Sequence, residues 1–268
     1  MKRTNKAVKK VYDEAYKKGE AEHYTRLIFS KGKLTEDKRA VLDSVSWKGK
    51  RVLDVGCGTG EVAHLIAKKG AKSVLGVDYS DEAIRIARAR GPLRNLTFEV
   101  ADLHSTKGKF DIVISMGTLE HTDKPYDTLK ILASRVAGGG ALILTCPNWL
   151  NPRGYMLQTL EKLFGARITL ADIHYLTPVE FRIWAKKLRM NLVWKTVDHD
   201  WAHGKRLVAD FRRRIANVLS DSHLPSDPSR INAFLAWIES HVVPMEKDTV
   251  YGGVTGIYRL EKAQTRRK

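Results

Sequence analysis

Apolar positions along this chain repeat with two periods that alternate. Short, nearly continuous apolar runs at Arg51–Val55, Ser73–Val77, Thr97–Val100, Asp111–Ser115 and Ala141–Thr145 predict strands buried on both faces. Helical spacing fills the gaps between them. Glu61–Lys69 predicts a helix stopped by Gly70, and Ser80 caps another whose first turn carries Asp81 and Glu82 and which ends near Gly91-Pro92. Tyr126–Val136 predicts a third, followed by a glycine loop, Gly138–Gly140. Strands spaced by helices imply an α/β fold with a parallel sheet covered on both faces, its ligand beyond the C-terminal strand ends.

The flanks have a different rhythm. Residues 3–30 read as helical, with Val8, Val11, Tyr12, Ala15 and Tyr16 in register; Lys31-Gly32-Lys33 breaks the pattern before a second helix at Thr35–Val45. After Pro147, Asn151-Pro152 opens a helix carrying Met156, Leu160, Leu163 and Phe164 and closed by Gly165. Thr177-Pro178-Val179-Glu180 has capping-box spacing. Leu192–Val197 predicts a sixth strand, 207–220 and 228–242 two amphipathic helices, and Thr249–Leu260 a last strand interrupted by glycines. The chain divides into a helical N-terminal segment (1–45), a ligand-binding core (46–150), a cap or lid (151–191), and the last strands (192–268) with a helical insertion at 199–245.

Charge follows the same division. The 268 residues carry a formal charge of +17, yet 51–150 holds 13 basic and 11 acidic residues, leaving the excess in the flanks. Basic flanks suit RNA or an anionic membrane surface; a generally basic, soluble surface is the alternative. The N-terminus lacks the apolar middle of a secretory signal, and two cysteines make no disulfide framework, so a reducing cytoplasm is expected.

The candidate chemistry starts at VLDVGCGTGE, Val52–Glu61. A dinucleotide loop needs G-x-G-x-x-G, whereas here the glycines alternate and Glu61 stands at the helix start. A carboxylate there competes with a pyrophosphate for the positive helix end. No Lys-Ser/Thr follows, which excludes a P-loop. A ligand without phosphates and with positive charge fits, and S-adenosylmethionine is such a ligand.

With these motifs the sequence resembles the class I S-adenosylmethionine-dependent methyltransferases over roughly residues 40–150. The resemblance implies a Rossmann-like seven-stranded sheet with helices on both faces, a helical N-terminal segment and helical cap insertions. It also implies cofactor contacts from Asp54, Gly56, Cys57, Gly58 and Gly60 in the first motif, and from Asp78 and Tyr79 after the second strand. Asp78 matches the residue that binds both ribose hydroxyls. Asp102 and Leu103 match the positions beside adenine, and Met116, in FDIVISMGTLEH, lies near the methionine part of the cofactor.

Methyl transfer to oxygen asks for a base near the fourth strand. Leu119-Glu120-His121 and a following Pro-containing turn resemble the ubiquinone-biosynthesis O-methyltransferase branch, as do CPNWLNPRGYMLQTLEKLFG and DIHYLTPVEF. In some relatives an E-x-x-E-H segment and a downstream His hold a metal. Gly117 stands where the first Glu would be, so no resident metal is assigned, although Glu120, His121 and His174 are the residues that would hold one. His121 and His174 are the candidate bases, with hydrogen-bonding structural roles as the alternative. Cys57 and Cys146 receive no catalytic role. Trp149, Tyr155 and Tyr175 are candidates to shape a pocket for a planar acceptor. The face of the 152–164 helix is expected to be buried, contact with a membrane being the alternative. The expected reaction is O-methylation of a small phenolic, quinone-like or lipid-like molecule. RNA methylation and a non-catalytic cofactor-binding module are the alternatives.

Overall fold

In the computed structural model, which describes residues 34–166, 168–169, 172–243 and 252–262, the first strand shows why its apolar run does not alternate. β1 (Arg51–Val55) is buried from its second residue onward, on both faces, because it lies at the centre of the sheet. β2 (Ser73–Asp78) and β3 (Leu96–Val100) lie outward on one side; β4 (Phe110–Met116), β5 (Val136–Pro147), β7 (Thr255–Lys262) and β6 (Met190–Val197) on the other. The order is β3-β2-β1-β4-β5-β7-β6, parallel except for β7, which runs antiparallel to both neighbours. The chain reverses direction across the sheet between β1 and β4, so a crevice opens at their C-terminal ends.

Helices cover both faces. α1 (Glu36–Leu42), α2 (Glu61–Lys68) and α3 (Asp81–Ala89) bury Val41, Leu42, Ile66 and Ile84 with Trp47 and Phe98 on one face. α4 (Pro125–Arg135) buries Leu129 and Leu132 on the other, and α6 (Pro178–Leu188) adds Phe181 and Ala185 there. Half of the expected 151–191 cap is therefore a sheet helix. Its capping box at Thr177 and Glu180 is present, and the Phe181 ring stacks on Tyr258 of β7 at 3.7 Å.

The actual cap combines α5 (Pro152–Phe164) with the insertion after β6: α7 (His199–Ala202), α8 (Gly204–Asp221), α9 (Pro228–Trp237) and a π-helical turn at Ile238–Val242. It has its own core, with Leu157, Leu207, Phe211, Ile215 and Leu235 buried together. Buried Asp210 binds it electrostatically, accepting from Arg153 Nε at 2.9 Å and Arg214 Nε at 3.3 Å. The expected burial of the α5 face holds for Leu157 and in part for Met156 and Leu160, but Leu163 and Phe164 are exposed.

Other boundaries differ from the sequence reading for local reasons. The run Gly138–Gly140 lies inside β5, at a register shift opposite Asp111; a Cβ on Gly140 would meet the Asp111 carbonyl oxygen at 2.5 Å. The last strand begins at Thr255, and residues 249–251 lie outside the described residues, as do the helix expected at 3–30 and the end of the 199–245 insertion. No described helix is long and apolar enough to cross a membrane.

The turn between β1 and α2 tests the packing most sharply. Gly60, the residue before α2, has φ +72°, and a Cβ there would sit 2.5 Å from Phe98 Cζ and 2.8 Å from Ala87 Cβ. Gly60→Ala combines left-handed strain with overpacking, so urea denaturation is expected to show a loss of about 2–4 kcal/mol. A variant as stable as the wild type would refute this account of the turn.

Candidate functional site

The glycine loop is tied down before any ligand is considered. The N–H groups of Gly56 and Cys57 both donate to the Val77 carbonyl, at 2.9 and 3.1 Å, fastening the loop to the end of β2. Gly58 N–H donates to Asp78 Oδ2 at 2.9 Å, and Ser80 N–H to Asp78 Oδ1 at 2.9 Å. Asp78 is thus a buried carboxylate held by two backbone donors. With about four acceptor sites on its two oxygens, it can also take ligand hydroxyls. Gly56 has φ +71°, and a Cβ on it would meet Thr118 Oγ1 at 2.6 Å, so glycine lets the loop approach β4.

These elements wall a cavity of about 720 Å³ at the C-terminal ends of β1, β2 and β4. Of the expected cofactor residues, Asp54, Gly56, Cys57, Gly58, Asp78, Tyr79, Asp102, Leu103 and Met116 line it. Gly60 does not; it sits behind the loop, against Phe98. Asp37 and Lys38 of α1 line the cavity as well, and Lys38 Nζ pairs with Glu61 at 2.5 Å. Glu61 therefore holds the α2 N-terminus with a cation of the protein's own.

Electrostatics divides the lining. Asp54 is 3% exposed, and burial, with Asp78 adding to it, pushes its carboxyl up to about 7. Burial, then Asp54 and Asp78, pushes the Cys57 thiol up, so it stays neutral. Asp102 is exposed; the Ser105 N–H at 2.8 Å holds its carboxyl below the ordinary value.

At the end of β4 a 3-10 turn, Leu119–His121, sends two neighbouring side chains opposite ways. His121 lines the cavity, while Glu120 points into the interior and is 2% exposed. Burial first, then Asp172, pushes Glu120 up to about 8; the Cys146 thiol donates to its Oε2 at 3.4 Å. Asp172 Oδ1 lies 3.6 Å from His121 Nδ1, and Glu120 Oε1 lies 3.9 Å from His121 Nε2. Among the described residues, Glu120, His121 and Asp172 are the group whose ligand atoms lie within 4.8 Å of one another, a spacing that a divalent ion could use.

His174, expected beside His121, is elsewhere. Its ring Nε2 is 3.3 Å from the Asp123 carbonyl oxygen, and it does not line the cavity. Nor do Trp149, Tyr155 and Tyr175: Trp149 is buried in the cap core with Tyr175 edge-on at 5.1 Å, and Tyr155 is 59% exposed. Sequence reasoning missed Asp37, Lys38, Thr122, Thr128 and Asp172. No spacing rule joins residues 121 and 172, although Asp172 lies in the DIHY stretch that supplied the candidates His174 and Tyr175.

A family model described as a methyltransferase domain matches residues 28–188. The chain belongs to the class I S-adenosylmethionine-dependent methyltransferases. Among this methyltransferase's relatives is the ubiquinone biosynthesis O-methyltransferase of Neisseria meningitidis serogroup C (strain 053442), 34% identical over 200 residues, or 70% of this chain and 77% of that one. The protein of the same name from Aeromonas salmonicida (strain A449) is 29% identical over 142 residues, 49% of this chain and 59% of its own length. The chain thus spans less than two thirds of the Aeromonas protein. The magnesium protoporphyrin IX methyltransferase from Synechocystis PCC 6803 with bound SAH shares the fold, with a TM-score of 0.56, 16% identity, and 89% and 92% of the two chains covered.

Asp54 makes this methyltransferase's stability depend on pH. Its folded value lies above the ordinary carboxylate value of 3.8, so the native state holds the proton more tightly, and ionisation costs stability as pH rises from about 4 through about 7. Asp54→Asn removes that cost. Denaturation of the ligand-free proteins is expected to show the variant gaining on wild type between pH 5 and pH 8. A constant difference across that range would refute the buried-carboxyl account.

Proposed function

We propose that this protein transfers the methyl group of S-adenosylmethionine to a hydroxyl oxygen of a small phenolic, quinone-like or lipid-like acceptor, with His121 taking the proton. The observation that carries the reading is that His121 and the glycine loop line one cavity. The named activity of the ubiquinone biosynthesis relatives supports oxygen as the acceptor atom.

The residues present fit this cofactor. Asp54 is a buried carboxyl held up near neutrality, which a nearby ammonium would draw into its charged form. Asp78, fixed by Gly58 and Ser80, suits a pair of adjacent hydroxyls. Tyr79, Asp102 and Leu103 line the same cavity and would flank the adenine. Glu61 with Lys38 occupies the helix end that a diphosphate would need.

When bound, S-adenosylmethionine would supply a methyl group on a sulfonium, whose sulfur is a leaving group able to keep the carbon–sulfur electron pair. The chain aligns the acceptor, and the His121 imidazole accepts the proton from its O–H and returns it to water. The Cys57 and Cys146 thiols, both pushed up by burial, stay neutral and do not compete as nucleophiles. Two free cysteines suit the reducing cytoplasm, where we place the protein. The basic flanks are assigned to the approach of an acidic surface, an anionic membrane or RNA.

The test incubates the protein with methyl-labelled S-adenosylmethionine and an alkyl-substituted catechol, and in parallel with cell extract. Label in the organic phase is expected; nuclease-sensitive label in the precipitate would make RNA the acceptor. His121→Ala is expected to lower kcat by about 10²–10⁴ while leaving cofactor Kd in place. Asp78→Ala is expected to weaken cofactor binding by about 1.5–3 kcal/mol for each charged hydrogen bond lost. Calorimetry showing unchanged affinity for the Asp78 variant would refute the cofactor assignment.

A further inference from the structure

The cavity runs across the C-terminal ends of the strands, and the strand order gives each stretch of it an address. Asp102 and Leu103 follow β3, Asp78 ends β2, Met116 ends β4 and Thr145 stands near the end of β5; all five line the cavity. The order β3-β2-β1-β4-β5 places Thr145 three strands from Asp78, or roughly 14 Å at the usual strand spacing. A ligand with hydroxyls on Asp78 and a cation by Asp54 fills the β2–β1 stretch. That leaves the β4–β5 end to the methyl acceptor.

Most hydroxyls at that end are already spent. Thr118 Oγ1 donates to the Met116 carbonyl at 3.1 Å, Thr122 Oγ1 to that of Leu119 at 2.9 Å, and Thr128 Oγ1 to that of Lys124 at 3.2 Å. Each serves a carbonyl of its own turn. Thr145 differs. It is 3% exposed, and its Oγ1 accepts the Gly117 N–H at 3.1 Å, a donor that its own carbonyl shares at 3.1 Å. A hydroxyl used as an acceptor still has its hydrogen to give, and no described residue takes it.

The sheet fixes where this hydroxyl stands. Thr145 pairs with Met116 of β4 on one side and with Ile257 of β7 on the other. Along β5, Ile143 packs in the core under α1 and α2, while Leu144 and Cys146 pack in the opposite one. Alternation sends the Thr145 side chain to the Ile143 side, the side on which α1 lines the cavity with Asp37 and Lys38. A buried donor in such a place costs stability until something accepts from it.

We propose that Thr145 is a specificity-determining residue for the methyl acceptor: its Oγ1–H donates a hydrogen bond to an oxygen of that molecule. This rests on the reading of the cavity as the site of methyl transfer to a small molecule. A site with such a donor rejects a molecule that lacks the matching oxygen, because the hydroxyl is then left dry and unpaired.

The experiment removes the hydroxyl and keeps the shape. Thr145→Val retains a branched side chain and leaves the Gly117 N–H its bond to the carbonyl of residue 145; Thr145→Ser retains the hydroxyl. Calorimetry on the protein saturated with S-adenosylhomocysteine reads Kd for the alkyl-substituted catechol, and labelled cofactor reads turnover. Thr145→Val is expected to weaken catechol binding about 5- to 30-fold and to raise its KM alike, with cofactor Kd in place. Thr145→Ser is expected to stay within about threefold of wild type, since the donor is kept. Equal catechol affinity in wild type and Thr145→Val overturns the proposal. So does a loss that falls on cofactor Kd, which would make the hydroxyl a cofactor ligand, or a Ser variant as weak as the Val variant, which would make packing the cause. If wild type neither binds the catechol nor labels any small molecule, the reaction assignment fails and this proposal with it. Equal affinities with an active wild type defeat the Thr145 proposal alone.

Discussion

The hydrogen bond from Gly58 N–H to Asp78 joins the loop after β1 to the end of β2, and much of the site depends on it. One carboxylate fixes the glycine loop, takes the Ser80 N–H at the start of α3, and raises the charge cost at Asp54. The loop in turn presses against β4 through Gly56 and Thr118, which sets where the His121 turn begins. A ligand that brings hydroxyls to Asp78 and a cation to Asp54 would find both carboxylates already placed. The backbone orients Asp78 in advance, and the Asp54 carboxyl, held up by burial, would take on its charge beside a bound cation.

The two halves of the cavity follow different physical rules. The β1–β2 side is buried and held by main-chain donors to Val77 and Asp78. The far side is assembled from segments distant in the chain: α1 supplies Asp37 and Lys38, the 3-10 turn supplies His121, and the N–H groups of Ile173 and His174 donate to the Glu120 carbonyl in that turn. Loops and caps on the assembled side can change without disturbing the sheet. The cap with its own core, bound through Asp210 to Arg153 and Arg214, is a second small unit laid on the first.

Legibility in the sequence follows the same division. β1, β2 and β4 are legible to within a residue or so because inner parallel strands are buried on both faces and leave continuous apolar runs, whereas β3, at the edge of the sheet and buried only at Phe98, is legible from its place between two helices. The caps at Ser80, Asn151 and Thr177 were readable because a helix start is a local problem solved by local side chains. β5 was read short, since a glycine run looks like a loop wherever the neighbouring strand cannot be seen to accommodate a bulge. α6 was read as cap because an amphipathic helix does not say which surface its apolar face meets.

The sequence by itself determined the glycine-loop side of the cavity. The alternating glycines, Glu61, Asp78 and Asp102 act through turns and strand ends that their own neighbours specify. Only the tertiary structure decided the rest: that His174 meets the Asp123 carbonyl, that Trp149 and Tyr175 pack in the cap, and that Asp172 lies beside His121. The physical reason is range. Periodicity and capping are carried by residues three or four apart, whereas an imidazole and a carboxylate 51 positions apart meet only after α4, β5 and α5 have packed and two backbone bonds have tied Ile173 and His174 to the Glu120 carbonyl.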